Sequence, residues 1–578
     1  MKFAIRNSKI TWKYQILVIL IVLLLVPVYS ASGDTTNGSL EEEISFHILA
    51  INDFHGQITP GKTINETPVG SAEVLSAYLD NALSQYRRDT TIIALPGDTT
   101  GVSPAESELL LDEPALLFFN TFADQACANH SDSRYTTCNI IATVGNHEFD
   151  YGVTELMRKI YGGDGNTTIP HIIDPYPGAD TRYIVSNVQE KETGENLLPP
   201  YVIREIDGVP VAFIGAVTVT TADTVNKEGI ESVTFLDEAT AINRYVKELQ
   251  EEGIHSFVIL LHEGGNQDPY EGPTKTVSEG AGEITGRVTD IVSNLNEDVD
   301  VVLSGHTHRF TNGYLPNAGG VPVLVTQAYY AGEAYADVTI TINPVTSDIM
   351  ASSAEIILTR ADDMPASQPD LAVTALMAED SKLVSPLVNE VINEATVAIT
   401  RDLNDTGESV LYDLATDAMR LGMDSDIAFL NEGALRADLE EGPVMTGMLY
   451  TIEPFNNQIV TIAMTGQEIL DVLEQQWQRT VAPTHLLQIS GFTYAYDTSL
   501  PVGSRVTDIT IDGKPMDMDA TYSVASIAFL EGGGDGYTVF TKGEKIATGP
   551  IDVDQFIEYV RELPAPLPGL PDGRIKGA

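Results

Sequence analysis

Short apolar runs alternate with amphipathic stretches between about residues 44 and 357. Runs rich in β-branched residues predict buried strands. The clearest are Phe46–Ile51, Thr91–Leu95, Asn139–Val144, Val211–Ala216, Phe257–Leu261, Val299–Leu303 and Val323–Thr326. Apolar positions at helical spacing predict helices between them, for example over Ala72–Tyr86 and Asp237–Gln250. Apolar strands separated by helices predict sheets covered on both faces, as in α/β architecture.

A second α/β pattern occupies residues 398–567. Its predicted strands are Ile427–Leu430, Gln458–Met464, Leu487–Ser490 and Tyr522–Ala525. Between the two patterns, residues 361–397 are polar and acidic, with apolar positions at helical spacing as far as Ile392. We interpret this segment as a linker that enters a connecting helix; alternatively, the helix simply belongs to the second domain.

Length and charge narrow the class of protein. At 578 residues the chain is too long for one core, which agrees with two domains, at 44–357 and 398–567. The net charge is -51, from 83 acidic and 32 basic residues spread along the chain. Such a surface repels nucleic acid polymers and anionic membranes, so we expect a small-molecule substrate. A phosphate substrate then requires metal ions or arginines that reverse the field locally.

Residues 1–33 have the pattern of an export signal. Four basic residues precede the apolar run Ile16–Val26, which is too short for the roughly 20 residues of a membrane span. Small residues follow, and cleavage after Ser30 or Ser32 leaves no stable membrane insertion; alternatively, the segment is retained as an anchor. We expect a periplasmic, cell-surface or secreted protein, in which Cys127 and Cys138 form a disulfide.

Five predicted strands are followed by short motifs of metal-binding residues. The motifs are Asp53-Phe54-His55, Gly97-Asp98, Gly145-Asn146-His147-Glu148, His262 and Gly305-His306-Thr307-His308. Side chains beyond the carboxyl ends of such strands gather at one edge of a sheet. A single histidine there is more often structural, but five of the ten histidines lie in these motifs.

The donor types indicate which ions bind. Imidazole with carboxylate and one amide, without thiolate, favours two divalent transition metal ions such as Zn, Mn, Fe or Co. Two such ions clamp a bridging water and stabilise its in-line attack on phosphorus. The arrangement needs one carboxylate shared by both ions, and Asp98 is the natural choice.

In this order the motifs resemble those of calcineurin-like metallophosphoesterases, over roughly residues 44–345. The resemblance implies a four-layer β-sandwich flanked by helices. It assigns one metal ion to Asp53, His55, Asp98 and His308, and the other to Asp98, Asn146, His262 and His306. His147 is then no ligand. It lies beside the phosphoryl or leaving-group oxygen and is oriented by Asp150, which fits general-acid chemistry.

The second domain resembles the 5'-nucleotidase C-terminal domain. The matching segments are Glu408-Ser409, Asn431-Glu432-Gly433-Ala434-Leu435-Arg436, Pro454-Phe455-Asn456-Asn457 and Phe529-Leu530-Glu531 with Gly532–Tyr537. Together the two domains imply the exported 5'-nucleotidase and UDP-sugar hydrolase family, with a smaller mixed α/β second domain.

Substrate roles follow from the second resemblance. Phe455 and Phe529 are expected to stack on a nucleobase, and Asp535 to accept from ribose hydroxyls. Asn431, Asn457 and the loop at Gly491 would read polar edges, and Arg436 would bind phosphate. Without the resemblance, each of these phenylalanines taken by itself would more often be a residue that packs in the core.

One departure concerns phosphate binding. Where the family usually has an arginine three positions before the residue equivalent to Glu408, this chain has Asp405. Either Arg401 takes over its role or the substrate differs.

The predicted function is therefore an exported dinuclear-metal enzyme that removes phosphate from nucleotides. The alternatives are a UDP-sugar hydrolase or 2',3'-cyclic-nucleotide phosphodiesterase on the same site. A hypothesis from another class is a non-catalytic nucleotide-binding surface protein.

Overall fold

The two motif-bearing sheets lie in the N-terminal half of the computed structural model. The structure describes residues 43–65, 67–127, 133–164, 169–365, 370–479, 486–567, 569 and 573–577. The predicted export signal lies outside these residues. In spatial order, the first sheet consists of Asp348–Leu358, Ala334–Asn343, Ile44–Ala50, Ile92–Pro96, Ile140–Thr143 and Arg182–Ile184. The second consists of Phe310–Pro316, Pro322–Ala328, Val299–Ser304, Ser256–His262, Val209–Val217 and Tyr201–Ile206.

Alternating side chains along the strands build four layers. Phe46 and Ile48 point into the core between the sheets, where they meet residues such as Val258. Leu49 and Ile51 point the other way, into a core formed with the outer helices. Helices Ala72–Gln85, Glu113–Asn120 and Gly152–Tyr161 pack on the first sheet, and Glu238–Glu251 and Arg287–Ser293 pack on the second. This helix–sheet–sheet–helix arrangement confirms the predicted fold class.

All seven predicted strands of this half are present, with ends shifted by one or two residues. The sheets are mixed, because antiparallel strands flank their parallel centres. The sequence reading missed the long hairpin of Ala334–Asn343 and Asp348–Leu358. Its residues alternate between buried and exposed, so they lack the continuous apolar run that marked the central strands.

The C-terminal half has its own core, whose buried members all lie from Ala395 onward. Its five-stranded sheet has the order Gln488–Ser490, Ile427–Leu430, Thr521–Ile527, Gln458–Thr465 and Glu544–Ile551. A four-stranded sheet has the order Lys514–Pro515, Val506–Ile511, Thr493–Tyr496 and Ile575–Gly577. The helices are Val410–Gly422, Thr446–Ile452, Gly466–Gln475, Ala528–Glu531 and Asp552–Glu562.

The connecting segment differs in part from its prediction. A helix spans Leu371–Val388 and packs on the N-terminal half through Val373. Ile392, which continues the helical spacing, instead lies in strand Val391–Ala395, paired with Gly442–Met445. The helix stops at Asn389, and the β-branched residues after it favour the strand.

Small elements complete the described chain. They include the strand pairs Lys62–Ile64 with Thr67–Val69 and Val188–Glu190 with Val233–Phe235, and the helices Ala105–Glu108 and Thr221–Thr224. Cys127 and Cys138 are joined by a disulfide. Among the described residues, no helix is both long enough and apolar enough to cross a bilayer.

Candidate active site

Strained loops carry most of the predicted metal ligands. The strands Ile44–Ala50, Ile92–Pro96 and Val299–Ser304 run into these loops at their carboxyl ends. Five of the predicted ligands have left-handed backbones, which residues with a side chain seldom adopt and which tend to cluster at functional sites. Their φ angles are 50° at Asp53, 48° at His55, 50° at Asp98, 74° at His306 and 57° at His308.

The side chains gather in two adjacent groups. Asp53, His55 and His308 form one group, and Asp98, His262 and His306 form the other. Within each group the donor atoms all lie within 4.8 Å of one another. The Oδ2 atom of Asp98 is 3.0 Å from Nε2 of His262 and 3.7 Å from Nε2 of His55. The Asp98 carboxylate therefore reaches both groups.

Asn146 adds an amide oxygen to the second group. Its Oδ1 atom is 3.2 Å from Nε2 of His262 and 2.9 Å from Nδ1 of His306. The structure therefore brings together all seven side chains that the sequence reading proposed as ligands.

Backbone carbonyls fix the histidines in a form that suits metal binding. Nδ1 of His55 lies 2.7 Å from the carbonyl oxygen of Gly101, and Nδ1 of His262 lies 2.9 Å from that of Pro96. Because a carbonyl only accepts, each Nδ1 carries a proton and each Nε2 is the nitrogen that faces the site. Burial lowers the pKa of His55 to about 3 and that of His306 to about 4, so both rings are neutral.

The buried carboxylates of the site favour the binding of cations. Burial raises the pKa of Asp53 to about 7, and the neighbouring Asp98 carboxylate adds to the shift. Although burial opposes it, the same carboxylate raises the pKa of His262 to about 10. Protons on Asp53 and His262 thus balance the buried negative charge that divalent ions would otherwise neutralise. With those protons replaced by ions, the carboxylates, the amide oxygen and the inward-facing imidazole nitrogens form a donor set that fits divalent metal ions.

His147 and Asp150 form a pair at the edge of these groups. Nδ1 of His147 is 2.9 Å from Oδ2 of Asp150, and its backbone N–H donates to Oδ1 of Asp98 at 2.9 Å. Burial opposes protonation of His147, but the charges of Asp150 and Asp98 and the hydrogen bond to Asp150 together outweigh it and raise the pKa of the ring. The carboxylate therefore holds the imidazole in one orientation and stabilises its protonated form.

Two glycines allow the loops to approach this closely. A Cβ atom on Gly97 would lie 2.4 Å from Nδ1 of His262. One on Gly145 would lie 2.1 Å from Oδ1 of Asp98. Both distances are far below van der Waals contact, so any side chain here displaces a proposed ligand.

Glu148 ties the central loops together, a role that the sequence reading did not assign. Its buried carboxylate accepts from the backbone N–H groups of Asp98, Thr99, Thr100 and Gly145. The only sequence signal was its place in the Gly145–Glu148 motif, which does not reveal a bond to a loop about 50 residues away.

Glu148→Gln is expected to destabilise the fold. The amide keeps one oxygen acceptor but turns an NH₂ group toward backbone donors, and each buried donor left unpaired costs about 1–3 kcal/mol. Urea denaturation should show the loss, whereas Glu441→Gln at an exposed position should leave the midpoint unchanged. Equal midpoints for the two variants would contradict the role given to Glu148.

A cavity of about 400 Å³ joins the metal-binding side chains to the C-terminal half. Asp98, Asn146 and His147 line one side. Six of the seven predicted substrate residues line the rest, namely Asn431, Arg436, Phe455, Asn457, Phe529 and Asp535. The Phe455 ring lies 5.8 Å from that of His147, and the Arg436 guanidinium lies 5.7 Å from the Phe455 ring. Nδ2 of Asn431 donates to Asp535 at 2.8 Å.

Two expectations about substrate residues are not met at this cavity. Gly491 does not line it; a Cβ atom there would meet the backbone oxygen of Asp426 at 2.2 Å, so this glycine serves close packing. Asp405 is exposed and does not line it either. Arg401, considered as its replacement, bonds Asp438 at 2.9 Å and lines a neighbouring cavity.

A hydrogen-bonded cluster joins the two halves beside the cavity. Nδ2 of Asn456 donates to Glu108 and lies within hydrogen-bond distance of the Tyr151 hydroxyl, at 2.6 Å in each case. Tyr151 also bonds Glu108. Asn456 adjoins Phe455, so the cluster fixes the loop that carries this ring.

Comparison with known proteins agrees with this architecture. The calcineurin-like phosphoesterase model matches residues 46–310, and the 5'-nucleotidase C-terminal domain model matches residues 391–542. The cell wall protein Lmo0130 of Listeria monocytogenes is 32% identical, over 95% of this chain and 71% of that protein. The chain belongs to the 5'-nucleotidase family of calcineurin-like phosphoesterases. It is accordingly a metal-dependent phosphoester hydrolase.

Of two further relatives, one is much longer than this phosphoesterase and the other is of similar length. Endonuclease YhcR of Bacillus subtilis is 31% identical over 93% of the chain, but the chain spans only 41% of that protein. The crystal structure of a 5'-nucleotidase precursor from Thermus thermophilus has a TM-score of 0.69 and 26% identity. It covers 92% of the phosphoesterase and 99% of its own chain.

Proposed function

We propose that this phosphoesterase removes phosphate from nucleotides at a dinuclear metal centre. The observation that carries the proposal is the shared cavity, in which the metal-binding groups and the phenylalanines of the second half face one space. Asp53, His55, Asp98 and His308 would hold one ion. Asp98, Asn146, His262 and His306 would hold the other. When bound, such ions activate water and neutralise charge on the phosphoryl oxygens for an in-line displacement.

The protein's own groups position and protonate the substrate in this proposal. The nucleobase lies against Phe455 and Phe529, and Arg436 pairs with the phosphate. His147 faces the phosphoryl or leaving-group oxygen, and Asp150 holds its Nδ1 so that Nε2 can donate a proton to the departing oxygen.

The test is His147→Ala, assayed for phosphate release from AMP. Loss of a positioned general acid is expected to lower kcat by about 10²–10⁴-fold. Metal content should remain, because His147 is not a proposed ligand. His255→Ala is the matched control, since this histidine pairs with Asp298 outside both cavities. Wild-type protein that carries metal but releases no phosphate would favour the non-catalytic binding protein.

A diester substrate is the second candidate. At the position where the family usually has an arginine, this chain has Asp405, whose side chain does not line the cavity. The missing arginine favours a substrate other than a simple monophosphate. Comparing kcat/KM for AMP, UDP-glucose and 2',3'-cyclic AMP separates the candidates. Hydrolysis of AMP at least as efficient as that of both diesters supports the nucleotidase.

We further propose export, with residues 1–33 as the signal and the Cys127–Cys138 disulfide formed outside the cytoplasm. The similarity to a protein named for the cell wall supports this. The proposed domain limits are 44–357 and 398–567, joined by residues 361–397.

A further inference from the structure

A second cavity, of about 690 Å³, adjoins the first at the metal-binding groups. Both are lined by Thr307, His308, Asn431, Gly433, Arg436 and Asp535. The second cavity has none of the nucleobase-stacking residues and neither His147 nor Asp150. It therefore opens away from the leaving-group side of the proposed reaction.

This second cavity is basic in a strongly acidic chain. Five Lys and Arg side chains line it, against the two carboxylates of Glu432 and Asp535. In the whole chain, basic residues are outnumbered 32 to 83. The basic residues are Lys62, Arg309, Arg401, Arg436 and Arg479. A basic concavity of this kind concentrates anions that the rest of the surface repels.

Three of the five cations are already engaged in holding the cavity wall. Arg401 bonds Asp438 at 2.9 Å. Arg479 donates to the backbone oxygen of Asp535 at 2.8 Å and lies 4.1 Å from the Tyr537 ring. Arg436 belongs to the proposed nucleotide site. The charges left for a further ligand are those of Lys62 and Arg309.

Lys62 and Arg309 line the second cavity together with the candidate ligands His55 and His308. Within the described part of the chain, no carboxylate lies within 4.0 Å of either charged group, and the Glu333 carboxyl that interacts electrostatically with Lys62 has its pKa raised by burial to about 7. The Tyr330 ring stacks on the His308 ring with centroids 4.6 Å apart. Nζ of Lys62 lies 4.8 Å from the Tyr330 centroid and 3.4 Å from its hydroxyl. Arg309 directly follows His308 and is exposed. Lys62 thus lies on the Tyr330 ring that stacks on the proposed ligand His308, and Arg309 is the next residue after His308 in the chain.

We propose that Lys62, Arg309 and the Tyr330 hydroxyl form a subsite for a second anionic group, carried on the non-departing arm of a small phosphodiester. The proposal rests on the nucleotide hydrolase activity above. It adds that the phosphorus attacked can carry two arms, a nucleoside in the first cavity and an anionic arm in the second. Water adds to phosphorus, the bond to the departing nucleoside oxygen breaks, and that oxygen takes a proton. The product phosphomonoester keeps the anionic arm.

The probe is a series of alkane-α,ω-diphosphonates with one to five methylene groups, which cannot be hydrolysed. One phosphonate occupies the phosphoryl position and the other extends into the second cavity. Inhibition is measured against p-nitrophenyl phosphate, so that the result does not depend on nucleotide specificity. We expect one chain length to inhibit at least about 10-fold better than the monophosphonate of equal length, as a charge-assisted contact allows.

Lys62→Ala and Arg309→Ala should each abolish most of this advantage, while inhibition by the monophosphonate changes little. Lys275→Ala and Arg244→Ala are matched controls, because both cations lie over tyrosine rings outside the two cavities. Metal chelation by the probes is the same for every variant and cancels in the comparison. Thermal unfolding checks that the variants fold.

The outcomes separate the two proposals. A diphosphonate advantage that survives in both variants, or that is missing in the wild type, overturns the second subsite. Failure to hydrolyse any nucleotide, with the advantage and its loss intact, overturns the nucleotidase and leaves the anion subsite standing.

Discussion

Asp98→Asn is expected to lower kcat/KM for phosphate release by more than about 100-fold. Losing a residue that only hydrogen-bonds to a metal ligand costs about 10- to 100-fold, and losing a ligand itself should cost more. Asp98 is the carboxylate that reaches both groups of donors. The amide has one acceptor oxygen and turns N–H bonds toward the second donor set, so it cannot serve two cations. Bound metal per protein, measured by elemental analysis, should fall with activity.

A second carboxylate provides the control for this substitution. Asp337 lies on strand Ala334–Asn343 of the same sheet, pairs with His47 and bonds the Tyr86 hydroxyl, away from the cavity. Asp337→Asn should keep both metal content and turnover. An Asp98→Asn protein that binds its full metal complement and turns over at the wild-type rate would refute the shared-ligand assignment.

The loops that carry the candidate ligands could be found from sequence because two independent signals coincide there. A buried parallel strand requires an uninterrupted apolar run. Packing alone does not explain a polar residue of a metal-binding type directly after that run. Phe257–Leu261 followed by His262 shows both signals in six residues. The sheet topology then places such strand ends together, so the ligand set required little more than order along the chain.

Contacts between distant segments could not be predicted in this way. The Asn456–Glu108 hydrogen bond joins residues 348 positions apart, and nothing in either local pattern indicates the other. Glu148 was visible as part of a motif, but its four backbone partners depend on how the loops meet. Gly491 does not line the cavity, and its close packing against Asp426 is a requirement for glycine that the local sequence pattern did not indicate.

In the proposed function, different parts of the chain set the chemistry and the substrate of this phosphoesterase. Residues after the strands of the N-terminal half form the metal-binding groups, whereas the C-terminal half supplies the aromatic and amide side chains of the cavity. A change in the second half can therefore alter specificity while the metal-binding groups stay intact. The selectivity of variants between substrates is thus more informative than their total activity.

Phe455→Ala is accordingly expected to lower the ratio of kcat/KM for AMP to that for p-nitrophenyl phosphate by about 5- to 100-fold. Stacking a base on one aromatic ring contributes ~1–3 kcal/mol, and p-nitrophenyl phosphate has no nucleobase to lose that contact. Phe529→Ala should act in the same direction, because its side chain lines the same cavity. Tyr135→Ala removes a half-exposed ring outside both cavities and should leave the ratio unchanged. If both phenylalanine variants kept the wild-type ratio, the rings would be packing residues and the base would bind elsewhere.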